Sequence, residues 1–245
     1  MQREIQKTSK ILLDTVKDIN EEKITISFSG GLDSSLLAFL IKNYSPSVKN
    51  IELLYTGMVD TTDYYNSRES AEMLGLELKQ HILKRDEIIQ SKDRIWEIIN
   101  SNDLIEASYL LPYYIALKHM ENKTMVTGQG ADELFMGYNK FLEDKENALE
   151  QSKQNYKDLN ERVKHREHLL AKTLGKNLIL PFINKELEEL VLPLPVNYKI
   201  QGERVKILLR ETAKEIGLPK EISERPKKAA QYGSGVWKVL KKNQK

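Results

Sequence analysis

The sequence predicts an α/β protein with a doubly wound parallel sheet and a helical C-terminal part, and three observations carry that expectation. β-Branched stretches alternate with helical periodicities through the first half of the chain. Two of those stretches end in glycine turns that lead into helices, and from Asn139 onward the pattern changes to charged helix. Strands alternating with helices argue for a parallel sheet whose ligands sit beyond the carboxyl ends of the strands.

The elements follow in order. Ile5, Ile11, Leu12, Val16 and Ile19 share one face at helical spacing, which predicts an amphipathic helix over 3–19 that caps the core. Lys23-Ile-Thr-Ile-Ser-Phe28 alternates, breaks at Ser29-Gly30-Gly31 and resumes as Ser35-Leu-Leu-Ala-Phe-Leu-Ile41: strand, glycine turn, helix. A second strand fits 51–55, and a helix over 63–74 stops at Gly75, a residue free to take a left-handed cap. A third strand fits 76–83, helices fit 86–99 and 109–120, and Lys123-Thr-Met-Val-Thr127 reads as a fourth strand ending at Gly128. Residues 139–174 read as a helical arm or lid, and the rest, punctuated by prolines, as short helices and loops. The domain reading is a nucleotide-binding α/β core over 1–138, completed by a helical part over 139–245.

Composition narrows the chemistry. With 245 residues the chain buries a sizeable core. Lys plus Arg number 38 against 36 for Asp plus Glu, a net charge of +2, which lacks the basic footprint of a nucleic-acid binder, so no nucleic-acid partner is expected. The absence of cysteine removes thiol nucleophiles, disulfides and Cys-ligated metals together. The N-terminal stretch holds no apolar run longer than Ile11-Leu12-Leu13, so a cytoplasmic protein without membrane contact is the expectation. His81, His119, His165 and His168 show no H-E-x-x-H pattern and read as surface residues with no zinc proposed, and Tyr109, Tyr113 and Tyr114 read as core.

Ser29-Gly30-Gly31-Leu32-Asp33-Ser34-Ser35 joins a strand to a helix, where backbone N–H groups and the helix dipole hold anions. The glycines let the backbone approach and the serines add donors. Asp33 fits beside phosphate only if a cation bridges the two, so the site reads as phosphate plus Mg²⁺. An ordinary capped turn accounts for one Gly and one Ser, not for the whole string. The patterns G-x-x-x-x-G-K-[ST] and G-x-G-x-x-G are both absent.

This heptapeptide resembles the pyrophosphate loop (PP-loop) of the N-type ATP pyrophosphatases, which cleave ATP between its α- and β-phosphates and include NAD, GMP, argininosuccinate and asparagine synthetases. Thr127-Gly-Gln-Gly-Ala-Asp-Glu-Leu-Phe-Met-Gly-Tyr138 resembles the S-G-E-G-(S/A)-D-E-x-F-G-G-Y segment of the asparagine synthetase family. The resemblance runs from about residue 20 to the end, on the synthetase half of that family. It implies an adenine nucleotide alpha hydrolase-like fold, ATP as the nucleotide, and Mg²⁺ held by Asp33 and Asp132 from two strand ends. By the same resemblance Phe28, Ser29, Gly30, Gly31, Ser34, Ser35, Thr56, Thr127, Gly128 and Gln129 surround the nucleotide, with adenine near the end of the second strand.

Weaker likenesses extend it. Leu180-Pro-Phe-Ile-Asn184 is similar to the family's V-P-F-L-D, and Glu203-Arg-Val-Lys206-Ile-Leu-Leu-Arg210-Glu211 to its M-E-K-x-x-L-R-E. That match makes Lys206 the lysine on the α-phosphate and departing pyrophosphate, while a Lys and an Arg four residues apart also suit an exposed helix. Arg225-Pro-Lys-Lys-Ala-Ala-Gln-Tyr-Gly-Ser-Gly235 reads either as a loop over the pyrophosphate or as a solvated basic stretch. Gln129 stands where the family usually has a Glu thought to act as base on the incoming amine, Asn177 and Ile179 stand where it reads E-x-R, and Glu106 falls near a family Arg that faces aspartate. A glutamine-hydrolysing member carries a catalytic Cys in a separate domain, so ammonia is expected to arrive free or from a separate glutaminase subunit. The resemblance thus implies an ATP-dependent ligase that adenylates a small carboxylate, with aspartate as a candidate, and passes the acyl group to ammonia or an amine. A tRNA-modifying ATP pyrophosphatase and a non-catalytic nucleotide-binding subunit are the alternatives.

Overall fold

Helix α1 (Gln2–Lys17) turns Ile5, Thr8, Leu12 and Val16 inward at the three- and four-residue spacing of one helix face. It packs against α2 (Leu32–Tyr44), α10 (Lys185–Val191) and α11 (Ile207–Ile216), and so covers one side of the sheet. The computed structural model describes residues 1–226 and 233–242. Among these, β1 (Lys23–Ser27), β2 (Asn50–Gly57), β3 (Leu78–Ile82), β4 (Thr124–Val126) and β5 (Asn177–Ile179) form one parallel sheet in the order β3-β2-β1-β4-β5.

Side chains alternate across the sheet and divide the core in two. Ile24, Ile26, Leu53 and Val126 face the layer of α1, α2 and α11, whereas Leu54 and Met125 face the layer of α4 (Arg85–Ile99), α5 (Leu104–His119) and α9 (Lys164–Thr173). Helices on both faces, with strands buried on both sides, are what the doubly wound reading requires. The chain runs outward from β1 through β2 to β3 and then crosses to β4 on the other side of β1. The order therefore reverses between β1 and β4, which opens a crevice at their carboxyl ends.

The predicted elements appear with shifted ends. Helix α3 (Thr62–Leu74) stops at Gly75 in the left-handed conformation (φ 59°), and the Thr61 hydroxyl caps its start by accepting from the Tyr64 N–H. Helix α5 begins earlier than the apolar pattern indicates, because Asp103 caps it by accepting from the N–H groups of Ile105 and Glu106. The stretch after residue 174 is not only short helices and loops: β5 pairs in parallel with β4, Thr124 opposite Asn177. Its three residues are too few for alternation to announce a strand. The region 139–174 contains α7 (Lys140–Glu143), α8 (Ala148–Asp158), a π-helical turn at Leu159–Val163 and α9. Tyr156 and Leu159 of this arm enter the same core as α1 and β1. Among the described residues, no helix is long and apolar enough to cross a membrane.

Candidate functional site

The segment after β1 and the segment after β4 lie side by side because their strands are neighbours, with Ile26 opposite Val126. Between them and the arm lies a cleft of about 530 Å³. Gly30 takes φ 70°, and a Cβ there would overlap the backbone carbonyl of Asn66, so only glycine lets the loop lie this close to α3. The turn is braced from within: the Ser29 hydroxyl accepts from the Gly31 N–H at 3.3 Å and lies 3.4 Å from the Ser34 hydroxyl. Arg225 braces it from outside, donating to the Gly30 carbonyl at 2.7 Å and the Ser70 hydroxyl at 2.6 Å.

Asp33 stands in the first turn of α2, and Asp132 in that of α6 (Ala131–Leu134). The Lys206 ammonium lies between them, with Nζ 2.6 Å from Asp33 Oδ2 and 2.6 Å from Asp132 Oδ1. Lys206 caps the start of α11 in the left-handed conformation (φ 59°), which turns its side chain off the helix surface and into the cleft. It is 1% exposed and Arg210 4%, so the exposed-helix alternative for this pair does not hold. Burial lowers the Lys206 pKa, and the nearby Asp33 carboxylate opposes that shift. Arg210 is spent on backbone, donating to the carbonyls of Val205, Ser223 and Arg225, and so joins α11 to the segment that braces Gly30.

Gly137 makes this close approach possible, since a Cβ there would overlap both the Asp132 carboxylate and Lys206 Cε. Gly137→Ala is therefore expected to displace both side chains and to destabilise the fold by about 1–3 kcal/mol, as overpacking does. Urea unfolding of the variant checks the second effect.

Of the residues named from sequence, Ser29, Gly31, Asp33, Ser34, Thr127, Gly128, Gln129, Asp132 and Lys206 line the cleft. Phe28, Gly30, Ser35 and Thr56 are not on its wall; Phe28 and Thr56 are buried at the ends of β1 and β2, and Ser35 is buried in α2. Residues 227–232 of the basic Gly-Ser-Gly segment lie outside the described residues. Its far end docks on the loop after β2, where the Met58 N–H donates to the Ser234 carbonyl at 2.9 Å.

The other half of the cleft was not legible in the sequence. Tyr113 and Tyr114 are core and Tyr109 packs against them, as expected, and α5 also turns Tyr109 and Tyr113 to the cleft wall. The π-helical turn contributes Leu159, Arg162 and Val163, and α9 contributes Glu167. Glu106 is not there: it is buried against Arg166 as an ion pair and accepts from the Ser101 hydroxyl at 2.9 Å. Glu133 accepts from the Tyr138 hydroxyl at 2.6 Å, and burial holds its carboxyl above the ordinary carboxylate range.

Burial, with the charge of Glu133 behind it, pushes the Glu167 carboxyl up to about 8, and its Oε2 has no hydrogen-bond partner. The folded state therefore favours the protonated acid. This contribution to stability is full below the ordinary value of 4.5 and is lost as pH rises through about 8. Glu167→Gln keeps the shape without the charge, so the variant is expected to gain on the wild type by roughly 2–4 kcal/mol between about pH 5 and about pH 9. Urea unfolding at both pH values measures the difference, and equal slopes would remove Glu167 as its source.

An all-oxygen donor set suits magnesium. Asp33 and Asp132 converge from two strand ends, and the buried Asp33 Oδ1 lacks a partner, so these residues fit the cation expected from the sequence.

Comparison with known proteins gives the family. The family described as Asparagine synthase matches residues 10–180 and 166–245. A putative glutamine-hydrolysing asparagine synthetase of Methanocaldococcus jannaschii is 30% identical over 90% of this chain and 48% of its own length. The glutamine-hydrolysing asparagine synthetase of Rattus norvegicus is 32% identical over 90% of this chain and 41% of its own. The chain thus spans about half the length of the curated relatives it matches. Among solved structures, the NMN synthetase of Francisella tularensis aligns over 99% of this chain and 85% of its own, with a TM-score of 0.46 and 15% identity. Matched by that family's model over residues 10–180 and 166–245, the chain belongs to the asparagine synthase family.

Proposed function

We propose that the protein is an ATP-dependent carbon–nitrogen ligase that adenylates a small carboxylate, releases pyrophosphate and passes the acyl group to ammonia or an amine. The observation that carries the reading is Lys206, buried between Asp33 and Asp132 beneath the Ser29–Ser35 loop. The N–H groups at the start of α2 and the hydroxyls of Ser29 and Ser34 suit an anion, and they stand beside two carboxylates that tolerate it only with a cation between. Magnesium, when bound by Asp33 and Asp132, supplies charge neutralisation for the triphosphate.

The chain's own residues do the rest. The Lys206 ammonium meets the charge that grows on the α-phosphate and departing pyrophosphate, and its walled position holds it there before reaction begins. Gln129 accepts no proton at neutral pH, so the base for the nitrogen nucleophile lies elsewhere. Glu167, near neutral in its tendency to ionise and on the opposite wall, suits that role, and Arg162 on the same wall suits a carboxylate of the acceptor. Aspartate is the first substrate candidate, because the family's curated members named above are asparagine synthetases. These 245 residues hold no cysteine nucleophile for glutamine hydrolysis, so the site takes its nitrogen as ammonia, free or delivered by a glutaminase.

The test is pyrophosphate release from ATP and magnesium as single carboxylates are added, aspartate first, with ammonium or glutamine as nitrogen source. The reading expects release that depends on one carboxylate and amide formation with ammonium. Nucleotide binding without carboxylate-dependent release from any candidate favours a non-catalytic subunit instead.

A further inference from the structure

Outside the cleft, the fold brings together three residues that the sequence leaves far apart. His81 lies near the end of edge strand β3, Glu87 in the first turn of α4 and His119 at the last residue of α5. These histidines are partly exposed, as the surface reading expects, but His81 and His119 are grouped in space; His165 and His168, which share helix spacing, are not in the group. One ligand atom from each of the three lies within 4.8 Å of the others. His81 Nε2 is 2.9 Å and 3.0 Å from the two Glu87 carboxylate oxygens, and His119 Nε2 is 3.2 Å from Oε1. The two imidazoles are stacked, centroids 3.8 Å apart and planes at 24°, so both rings aim the same edge at one carboxylate.

We propose that His81, Glu87 and His119 form a zinc-binding site, separate from the nucleotide cleft, that clamps the start of α4 and the end of α5 to the edge of the sheet. Two imidazole nitrogens and one carboxylate oxygen are a borderline donor set that zinc takes, leaving a fourth position for water. A tetrahedral zinc with bonds of about 2.0–2.2 Å sets its ligand atoms about 3.4 Å apart. The two nitrogen-to-carboxylate separations, 2.9 and 3.2 Å, lengthen by only a few tenths of an ångström to reach that value, and the ligand nitrogens already lie within 4.8 Å of each other. Each ligand comes from a different element, and the backbones of those elements are fixed by the core: Ile88 and Ile95 of α4 and Leu117 of α5 are fully buried. The site is thus assembled by the fold rather than by one flexible loop. The side chains of His81, Glu87 and His119 are partly open to solvent, which gives an ion a way in.

The clamp has a structural consequence. His81 is paired in register with Thr56, and the Leu83 N–H donates to the Gly57 carbonyl, so β3 holds the end of β2 from which the chain departs toward α3 and Asp63. A cation at this edge fixes the strand that supports one side of the cleft without touching the cleft itself, whose lining includes none of the three ligands.

Calorimetric titration with zinc alone is the experiment, on the full chain freed of metal and of any purification tag. One zinc ion per chain is expected, with a rise in thermal midpoint, and His81→Gln and His119→Gln are each expected to weaken binding about a hundredfold. His165→Gln with His168→Gln is expected to leave binding unchanged. Cobalt in place of zinc is expected to give the intense visible bands of a four-coordinate site, lost in both ligand variants. If either ligand variant folds poorly, Glu87→Gln, which keeps size and hydrogen bonding, supplies the same comparison. Absence of saturable binding at one equivalent would overturn the proposal, as would affinity that follows His165 and His168 instead.

Discussion

Replacing Lys206 by Met or Ala is expected to lower the rate of pyrophosphate release by a hundredfold or more while ATP affinity falls much less. In the proposed reaction the ammonium meets charge that grows as pyrophosphate leaves, so its interaction strengthens chiefly in the transition state, and donors of this kind are worth about two to three powers of ten in rate. Lys206→Met is the cleaner variant, since it fills the space beside Gly137 and separates loss of charge from loss of packing. Both variants leave the Asp33 and Asp132 carboxylates without their shared cation, so thermal stability is expected to fall in low magnesium and recover as magnesium is added. Lys206→Arg is expected to rescue little, because a planar fork does not fit a position built for a compact ammonium. Single-turnover release in the three variants checks this, and near-normal rates in all of them would remove Lys206 from the mechanism.

Asp33→Asn and Asp132→Asn are expected each to lower turnover severely and to raise the magnesium requirement of the residual rate, with circular dichroism unchanged. Each single change leaves Lys206 one carboxylate partner, so the ammonium stays paired and the fold survives. The double change leaves a buried ammonium with neither carboxylate, and is expected to cost about 3–5 kcal/mol in stability. The contrast is diagnostic: a purely structural triad shows stability loss without a shift in magnesium dependence. Rates measured against magnesium concentration in the single variants, beside urea unfolding of the double variant, tell the two apart.

Much of the fold was legible because its long elements repeat. α1 and β1 follow their periods, and Gly75 stops α3 because only a left-handed cap fits there. β5 was not legible, since three residues carry no period and its partner β4 is more than fifty residues away in sequence. The half of the cleft built by the Ser29–Ser35 turn was readable as a string because one turn supplies Ser29, Gly31, Asp33 and Ser34 together. The position of Lys206 was not: its spacing to Arg210 describes an exposed helix equally well, and only the left-handed cap at residue 206 turns it inward. The arm wall was hidden for a related reason. Tyr109, Arg162 and Glu167 come from different helices, and a π-helical turn, which sequence periodicity does not announce, shifts the face that α8 and α9 present.

The most direct test of carboxylate adenylation follows an oxygen atom. When a carboxylate attacks the α-phosphorus and the acyl group then passes to nitrogen, the oxygen bridging carbon and phosphorus leaves with AMP. Incubating the protein with ATP, magnesium, ammonium and the active carboxylate labelled with heavy oxygen, then weighing the nucleotide product by mass spectrometry, reads that transfer. AMP carrying one heavy oxygen from the carboxylate is the predicted result. Unlabelled AMP, or ADP with inorganic phosphate, would contradict it.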